Sequence, residues 1–493
     1  MTTRNYMHYI NGTYVPAASG EIFETSDPYS GRVWATIARG SSADVDAAVT
    51  AAKNALDGEW GTYNASQRGK LLNRLAELIE RDATRLAEIE VRDNGKLMAE
   101  MSVQTKYMAE WYRYYGGLAD KIQGAVIPTD KADTFNYTRY EPLGVVAMIT
   151  PWNSPLLLLT WKLAPALAAG NTAVIKPSEF TSASTITFME LFEEAGFPAG
   201  VVNTVAGFGE EVGAPLVSHK DVAKVAFTGS DYSGQKIYES AAKDIKNVTL
   251  ELGGKSPNIV FEDADIEAAV MGAISGIFAA TGQTCIAGSR LLLQHSIHDR
   301  FVERLVEVAG QACIGDPKSP DTHVGPITTR PQYEKILEYI AIGKKEGAKC
   351  VLGGEPYTGP GAKGGQFILP TIFTGVTNDM RIAQEEIFGP VLAVIPFEDE
   401  EEAIDIANDV DFGLAAGVWT KDIGRTFRLS EKLKVGTVWV NTYRAVSYTS
   451  PFGGYKRSGL GRESGVDAVF DYLQLKSVWI ATQTPVRNPF VIS

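Results

Sequence analysis

The sequence predicts an α/β protein with two doubly wound parallel-sheet domains and a small β flap beside them. Three observations predict it. From Gly144 onward, short β-branched runs alternate with helical stretches, the rhythm of a parallel sheet covered by helices on both faces. The rhythm resumes after Pro257, which implies a second unit of the same kind. Gly124 to Tyr140 and Leu475 to Thr482 instead alternate polar and apolar residues as exposed strands do.

The first 120 residues read as largely helical. Ser42 to Leu56 is one helix, with Asp44 and Asp46 placed to favour the positive end of its dipole. Ser66 is the expected cap of the next, whose Leu71, Leu72, Leu75, Leu78 and Ile79 share one face. Val145 to Ile149 reads as a strand, followed by a Pro-Trp-Asn-Ser-Pro loop and a helix ending near Gly170. Thr172 to Ile175, Val201 to Val205, Val222 to Phe227 and Asn247 to Leu250 are further strands, with a helix from about Thr181. In the second unit, Asn258 to Phe261 and Arg290 to Gln294 are strands around a helix from about Asp265 to Ala280. The crossing between the units falls near Glu251 to Ser256. Gly353 to Gly365, rich in glycine and proline, reads as a surface loop. A strand as apolar as Leu475 to Thr482 needs a partner for its edge. It belongs either to an oligomerisation flap or to a hairpin packed on its own subunit.

A length of 493 residues allows two or three domains with large cores. The formal charge of −13 argues against nucleic acid and anionic membranes, which call for basic surfaces. No apolar run reaches the roughly 18 residues of a membrane span; the most apolar stretch, Pro155 to Ala169, is interrupted by Thr160, Trp161 and Lys162. The N-terminal Met-Thr-Thr-Arg-Asn-Tyr-Met-His has no apolar core of the secretory kind. Three cysteines, Cys285, Cys313 and Cys350, suit a reducing compartment. The expected location is cytoplasmic.

The chemistry centres on Cys285, in Phe278-Ala-Ala-Thr-Gly-Gln-Thr-Cys-Ile-Ala-Gly-Ser-Arg290. A lone cysteine is often only a small buried hydrophobe. Small residues crowd this one on both sides, however, as they do where a substrate nears the backbone. Cys313 and Cys350 lack such surroundings. A cysteine peptidase would need an imidazole partner, and His8, His219, His295, His298 and His323 lie in no such motif. Upstream, Glu251 sits at a strand-to-turn transition before Gly253-Gly254. It is either an acid–base group or a salt-bridge partner of Lys255. A thiol nucleophile with a carboxylate in a glycine turn suggests covalent catalysis followed by hydrolysis. No cluster of metal-ligating residues stands out.

The cofactor signal is mixed. Gly207-Phe-Gly-Glu-Glu-Val-Gly213 follows a strand and opens a helix, but its spacing is one residue longer than the dinucleotide fingerprint. Lys176 and Glu179 offer a cation and a carboxylate to ribose hydroxyls. A carboxylate there would repel a 2′-phosphate, so NAD is favoured over NADP.

Seven separated motifs then fall into one order: Pro151-Trp-Asn153, Lys176-Pro-Ser-Glu179, Phe227-Thr-Gly-Ser230, Glu251-Leu-Gly-Gly254, Gly282-Gln-Thr-Cys285, Glu385-Glu-Ile-Phe-Gly-Pro390 and Pro451-Phe-Gly-Gly-Tyr-Lys-Arg-Ser-Gly459. Nearly end to end, the chain resembles the NAD(P)-dependent aldehyde dehydrogenase superfamily. The resemblance implies that 1–123 and 141–252 form an NAD-binding domain and 253–450 a catalytic domain. It makes 124–140 and 470–493 the oligomerisation flap of a homodimer or homotetramer, with 451–469 returning to the cofactor domain. It implies Cys285 as nucleophile, Glu251 as general base, and Asn153 with the Cys285 backbone N–H as oxyanion donors. Lys176 and Glu179 would hold ribose, Ser230 with Gly229 the pyrophosphate, and Trp152, Glu386 and Phe388 the nicotinamide side.

Departures from the family pattern bear on specificity. Asp231, in Asp231-Tyr-Ser-Gly234, would be unfavourable beside a phosphate unless turned away. Ser154 and Ala279 stand where many relatives carry aromatics, which widens the aldehyde pocket. Tyr107, Trp161, Thr284 and Ile286 are its expected walls. Arg444 borders its mouth, as a carboxylate clamp or as a residue that points to solvent or pairs across a subunit interface. An arginine there would repel the quaternary ammonium of betaine aldehyde. The expected reaction is oxidation of a medium or bulky aldehyde, aromatic or carboxylate-bearing, to its acid. The rivals are a CoA-acylating semialdehyde dehydrogenase, a non-catalytic protein on the same fold and a thioesterase. Glu251 argues against the first, the joint presence of Cys285, Glu251 and Asn153 against the second, and the ribose and nicotinamide contacts against the third.

Overall fold

The structure is a computed structural model that describes residues 4–483 and 490. Its first segment corrects the helical expectation. Residues 4–38 form five short strands, and among the described residues no helix begins before Ser42. Runs of three to seven residues are too short to show a period, so the longer helices that follow dominate the pattern. One local signal was present: Asn11-Gly12, both at positive φ (51° and 78°), turns His8–Ile10 into Thr13–Val15.

Helix Ser42–Asp57 is capped by Ser41, whose N–H donates to Asp44 Oδ2 at 2.9 Å. Helix Ala65–Asn94 is capped by Asn64 and not by Ser66, which lies inside it. Gln67 N–H donates to Asn64 Oδ1 at 3.0 Å while the Gln67 side chain accepts from Asn64 N–H, a reciprocal pair that a serine two residues on cannot make. Leu72, Leu75, Leu78 and Ile79 are buried as expected, and Leu71 is half-buried.

Two large sheets organise the rest. In the first, five parallel strands lie in the order Asn247–Glu251, Val222–Thr228, Val145–Ile149, Thr172–Lys176, Val202–Thr204. Gly459–Leu460 closes one edge against Glu251, and the His8–Ile10 hairpin closes the other, both antiparallel. Helix Pro155–Ala169 is buried at every position, as its nearly unbroken apolar sequence requires. The second sheet has six parallel strands, Thr371–Thr374, Val391–Phe397, Arg290–Gln294, Pro257–Val260, Ala415–Trp419 and Thr437–Val440, with Lys349–Leu352 antiparallel at the edge. The chain crosses from Glu251 in one sheet to Pro257 in the other through Leu252–Ser256.

Strands Thr134–Pro142 and Leu473–Ala481 pair antiparallel along their full length, with Val126–Ile127 on the far side of the first. They form a separate three-stranded ribbon exposing Phe135, Leu475, Trp479 and Ile480. Of the expected flap segment 470–493, residues 484–489 and 491–493 lie outside the described residues. Among the described residues no helix is long and apolar enough to cross a membrane.

Candidate active site

Strand order in the first sheet reverses direction around Val145–Ile149, and ligands bind parallel sheets beyond the carboxyl ends of strands at such a point. The loops after Val145–Ile149 and Val222–Thr228 open there. They border a groove of 490 Å³ lined by Pro151, Trp152, Lys176, Glu179, Gly213, Gly229 and Ser230, among others. Lys176 Nζ lies 3.4 Å from Glu179 Oε2. Burial lowers the pKa of this ammonium, against the pull of Glu179. Ser230 caps helix Asp231–Ala242, its Oγ accepting from Ser233 N–H at 3.2 Å. The stretch Gly207 to Gly213 also opens short helical turns, and Gly209 and Gly213 line the same groove.

Asp231 is turned out of the groove. Its Oδ2 meets Arg457 Nη2 at 2.7 Å, so the carboxylate is paired away from the anion-binding end of its helix.

Past Trp152, Gly229 and Ser230 the groove runs into a smaller cavity of 120 Å³. Asn153, Gly253, Cys285, Glu386 and Phe388 all line it. Phe388, at φ 59°, sets its ring edge-on to Trp152 with centroids 5.3 Å apart. Glu386 Oε1 accepts from Gly254 N–H at 2.9 Å. A Cβ at Gly253 would fall 2.5 Å from Glu386 Oε2, so only glycine lets that carboxylate lie against the turn.

Cys285 is half-buried in a loop entered through three left-handed residues, Ala280 (φ 53°), Thr281 (φ 55°) and Gly282 (φ 68°). Non-glycine residues there cost roughly 1–3 kcal/mol each and persist only where the surroundings fix them. Here Ala280 N–H donates to Glu100 Oε1 (2.7 Å), Gly325 N–H to Thr281 Oγ1 (3.1 Å) and Thr328 N–H to Gln283 Oε1 (2.9 Å). The expected helix to Ala280 therefore ends at Phe278. Asn153 Nδ2 donates to Gln283 O at 3.0 Å, tying the amide to the backbone two residues before the thiol. Burial, with Glu386 and Glu251 adding to it, pushes the Cys285 thiol up to about 12. The resting side chain is thus a protonated thiol.

Glu251 is the last residue of its strand, paired with Thr228 on one side and Gly459 on the other. It makes no salt bridge with Lys255; neither carboxylate oxygen has a hydrogen-bond partner among the described residues. Its carboxyl is buried and does not line the cavity of Cys285. Of the expected pocket walls, Tyr107, Trp161 and Ile286 pack into one cluster with Cys285. Thr284 is half-buried beside the thiol, and Ser154 is buried. Arg444 is half-buried, with Nη1 3.2 Å from Ser275 O. None of the five histidines lines either cavity.

Several contributors carry weak sequence signals. Gln332 Nε2 donates to Ile387 O (2.8 Å) and Phe388 O (2.9 Å), holding the strained Phe388 backbone from a helix far off in sequence. Lys162 and Glu463 form a buried ion pair. Only Lys162 had a visible signal, as the lone charge in an apolar helix, which must find a partner.

This geometry agrees with the comparisons. The aldehyde dehydrogenase family profile matches residues 14–478. The chain belongs to the aldehyde dehydrogenase family. With the family comes its reaction class, NAD(P)-dependent oxidation of aldehydes. The chain is 49% identical over 471 residues to an aldehyde dehydrogenase of Emericella nidulans, covering 95% of this chain and 94% of that one. It is 46% identical over 493 residues to the (Z)-2-((N-methylformamido)methylene)-5-hydroxybutyrolactone dehydrogenase of Acinetobacter baylyi, covering 99% and 100%. The crystal structure of betaine aldehyde dehydrogenase from Staphylococcus aureus in complex with NAD+ superposes with a TM-score of 0.97 at 41% identity, covering 99% of this chain and 97% of that one.

Proposed function

We propose that this aldehyde dehydrogenase oxidises a medium-sized or bulky aldehyde to its carboxylic acid with NAD as acceptor, through a covalent adduct on Cys285. The carrying observation is that Cys285, Asn153, Glu386 and Phe388 line one cavity continuous with the groove of Lys176, Glu179 and Ser230. The residues fit a dinucleotide. The groove combines a buried cation, a carboxylate three residues on and a helix start, and Gly229 has no room for a Cβ, which would meet the Phe227 ring at 2.4 Å. The carboxylate of Glu179 suits a ribose hydroxyl better than a 2′-phosphate.

In this reading Cys285 passes its proton to water and Sγ adds to the carbonyl carbon, leaving an oxyanion. The second N–H of Asn153 Nδ2 and the backbone N–H of Cys285 hydrogen-bond to that oxygen. Bound NAD supplies the acceptor for the hydride leaving the same carbon, so that carbon is left as a thioester on Sγ. Glu251 takes a proton from water, the hydroxide adds to the thioester, the C–S bond breaks, and the acid departs with Sγ reprotonated. A carboxyl with a raised pKa suits base work near neutral pH. Glu251 lies outside the cavity of Cys285, so in this reading its side chain swings in when water is needed.

Ser154 and Ala279 support a wide pocket. The compound in the name of the Acinetobacter baylyi relative, a 5-hydroxybutyrolactone, is the ring-closed form of a 4-oxo carboxylic acid, which supports a carboxylate-bearing substrate. Betaine aldehyde fits less well beside Arg444. The exposed ribbon with Leu475, Trp479 and Ile480 supports a homodimer or homotetramer joined through it. The deciding experiment is NADH formation against aliphatic, aromatic and carboxylate-bearing aldehydes by wild type and Cys285→Ala. Turnover should vanish in the variant. NADH made equally well without the thiol would overturn the covalent route.

A further inference from the structure

The aldehyde side of Cys285 holds two cations that the reaction above leaves without a task. Lys96 is buried just beyond helix Ala65–Asn94, and its Nζ donates to Ser154 Oγ at 2.7 Å. That is its one hydrogen bond among the described residues, while an ammonium carries three N–H donors. Arg444 stands in the loop before Pro451 at a left-handed φ of 65°, and its one bond is the 3.2 Å contact to Ser275 O. Both cations lie within electrostatic reach of the Cys285 thiol and of each other. Neither lines the cavity of Glu386 and Phe388, but Lys96 bonds the residue next to Asn153, and Tyr443, next to Arg444, donates to Ile286 O at 3.1 Å beside Cys285.

Two acids are near, and each has one engaged carboxylate oxygen and one without a hydrogen-bond partner among the described residues. Glu100 Oε1 accepts from Ala280 N–H at 2.7 Å and supports the strained turn before Cys285. Glu90 Oε1 accepts from Leu156 N–H at 3.1 Å. Burial holds Lys96 at about 8 despite them, and the neighbouring Arg444 adds to the lowering, so two cations share a dry site. Ser154, next to Asn153 of the cavity, is the small polar side chain that Lys96 holds; a bulky ring in its place would remove that bond.

We propose that Lys96, presented through Ser154, and Arg444 form a two-point anchor for a carboxylate on the aldehyde substrate. The proposal rests on Cys285 being the nucleophile and names the substrate class for that site. The carboxylate satisfies the open donors of both cations while its aldehyde end reaches Sγ. The same pair excludes cationic aldehydes by repulsion.

The test compares 4-oxobutanoate with butanal, which share chain length and differ in the carboxylate, by NADH formation in wild type, Lys96→Met, Arg444→Gln and Ser154→Phe. The readout is the ratio of the two kcat/KM values, which is insensitive to the fraction of folded enzyme. In wild type the ratio should favour 4-oxobutanoate by about tenfold or more, the worth of a charge-assisted hydrogen bond. It should fall by about tenfold in each variant, mainly through KM for 4-oxobutanoate. A wild-type ratio at or below unity, or one unchanged in all three variants, overturns the anchor while the oxidation of butanal keeps the reaction in place. No NADH from either aldehyde overturns the reaction, and the anchor with it.

Discussion

The carboxyl groups of Glu251 and Glu463 are buried as electrostatic neighbours, and only Glu463 has a cation of its own. Lys162 Nζ donates to Thr228 Oγ1 at 2.5 Å and also to Glu463 Oε1. Burial raises the Glu251 carboxyl well above the usual range and Glu463 pushes it further, while Lys162 and Arg462 pull it down. Glu463 also feels Lys224 and Asp471, yet burial outweighs the cations, so both carboxyl groups are held above the ordinary range.

That arrangement predicts a pH dependence. As the proposed base Glu251 acts deprotonated, so turnover limited by thioester hydrolysis should rise as pH rises through its elevated pKa. Glu463→Gln removes a negative neighbour and should move this limb to lower pH. Lys162→Met removes a positive one and should move it to higher pH. Profiles of kcat against pH for the three proteins check both directions; identical profiles would uncouple the pair from catalysis. Stability has the matching sign. The folded state keeps a proton that the unfolded chain loses above the ordinary carboxylate range, so this pair's contribution to stability declines as pH climbs toward the folded value. Glu251→Gln should flatten that slope in thermal melts.

Glu251→Gln should also separate the two chemical stages. Acylation of Cys285 does not need this base for hydrolysis, so rapid mixing should show a burst of NADH of about one equivalent per site. The following steady state should be slower by about 10²–10⁴, the usual worth of a general base. Loss of the burst together with the steady state would place Glu251 earlier in the reaction.

Asn153→Ala should lower kcat by about 10²–10³, the cost of one oxyanion donor. The amide also holds the Gln283 carbonyl at 3.0 Å, so the variant needs a control for loop position. Alkylation of Cys285 by iodoacetamide is that control. An unchanged alkylation rate with a reduced kcat assigns the loss to the oxyanion; a changed rate assigns it to the loop.

Arg457→Ala should weaken NAD binding. Without its partner 2.7 Å away, Asp231 presents an unpaired carboxylate at the first turn of the helix that borders the groove. Both side chains are partly exposed, so the effect should be a few-fold in Kd and should shrink in salt. Asp231→Asn in the same background should restore binding, and titration by fluorescence checks both.

Much of this site was legible in the sequence because its parts are contiguous motifs at strand ends. Cys285, Glu251, Asn153, Lys176, Glu179 and Glu386 each stand in a short run rich in glycine, proline or small residues, where a backbone turn leaves a local mark. The strand rhythm from Gly144 was legible for the same reason, since buried parallel strands are near-continuous apolar runs. The cap at Asn64 was misread because Asn64 and Ser66 both have capping chemistry, and the reciprocal Gln67 bond decides between them.

Other parts had no local mark. The strands in residues 4–38 are too short to declare a period and take their partners from distant segments, such as Thr204 for Tyr9. Glu463 and Gln332 are ordinary polar residues whose roles come from what lies opposite them after the chain has crossed between sheets.

The sequence by itself determined the kind of protein: the alternating units, the thiol in its small-residue loop, the acid before its glycines, and the family these motifs belong to. Only the tertiary structure decided how the groups are charged and aimed. Asp231 faces Arg457, Glu251 shares its burial with Glu463, and Lys96 reaches Ser154. The reason is physical. A motif specifies residue types along a few turns of backbone, whereas desolvation and charge pairing depend on atoms brought together across hundreds of residues, where no local period records them.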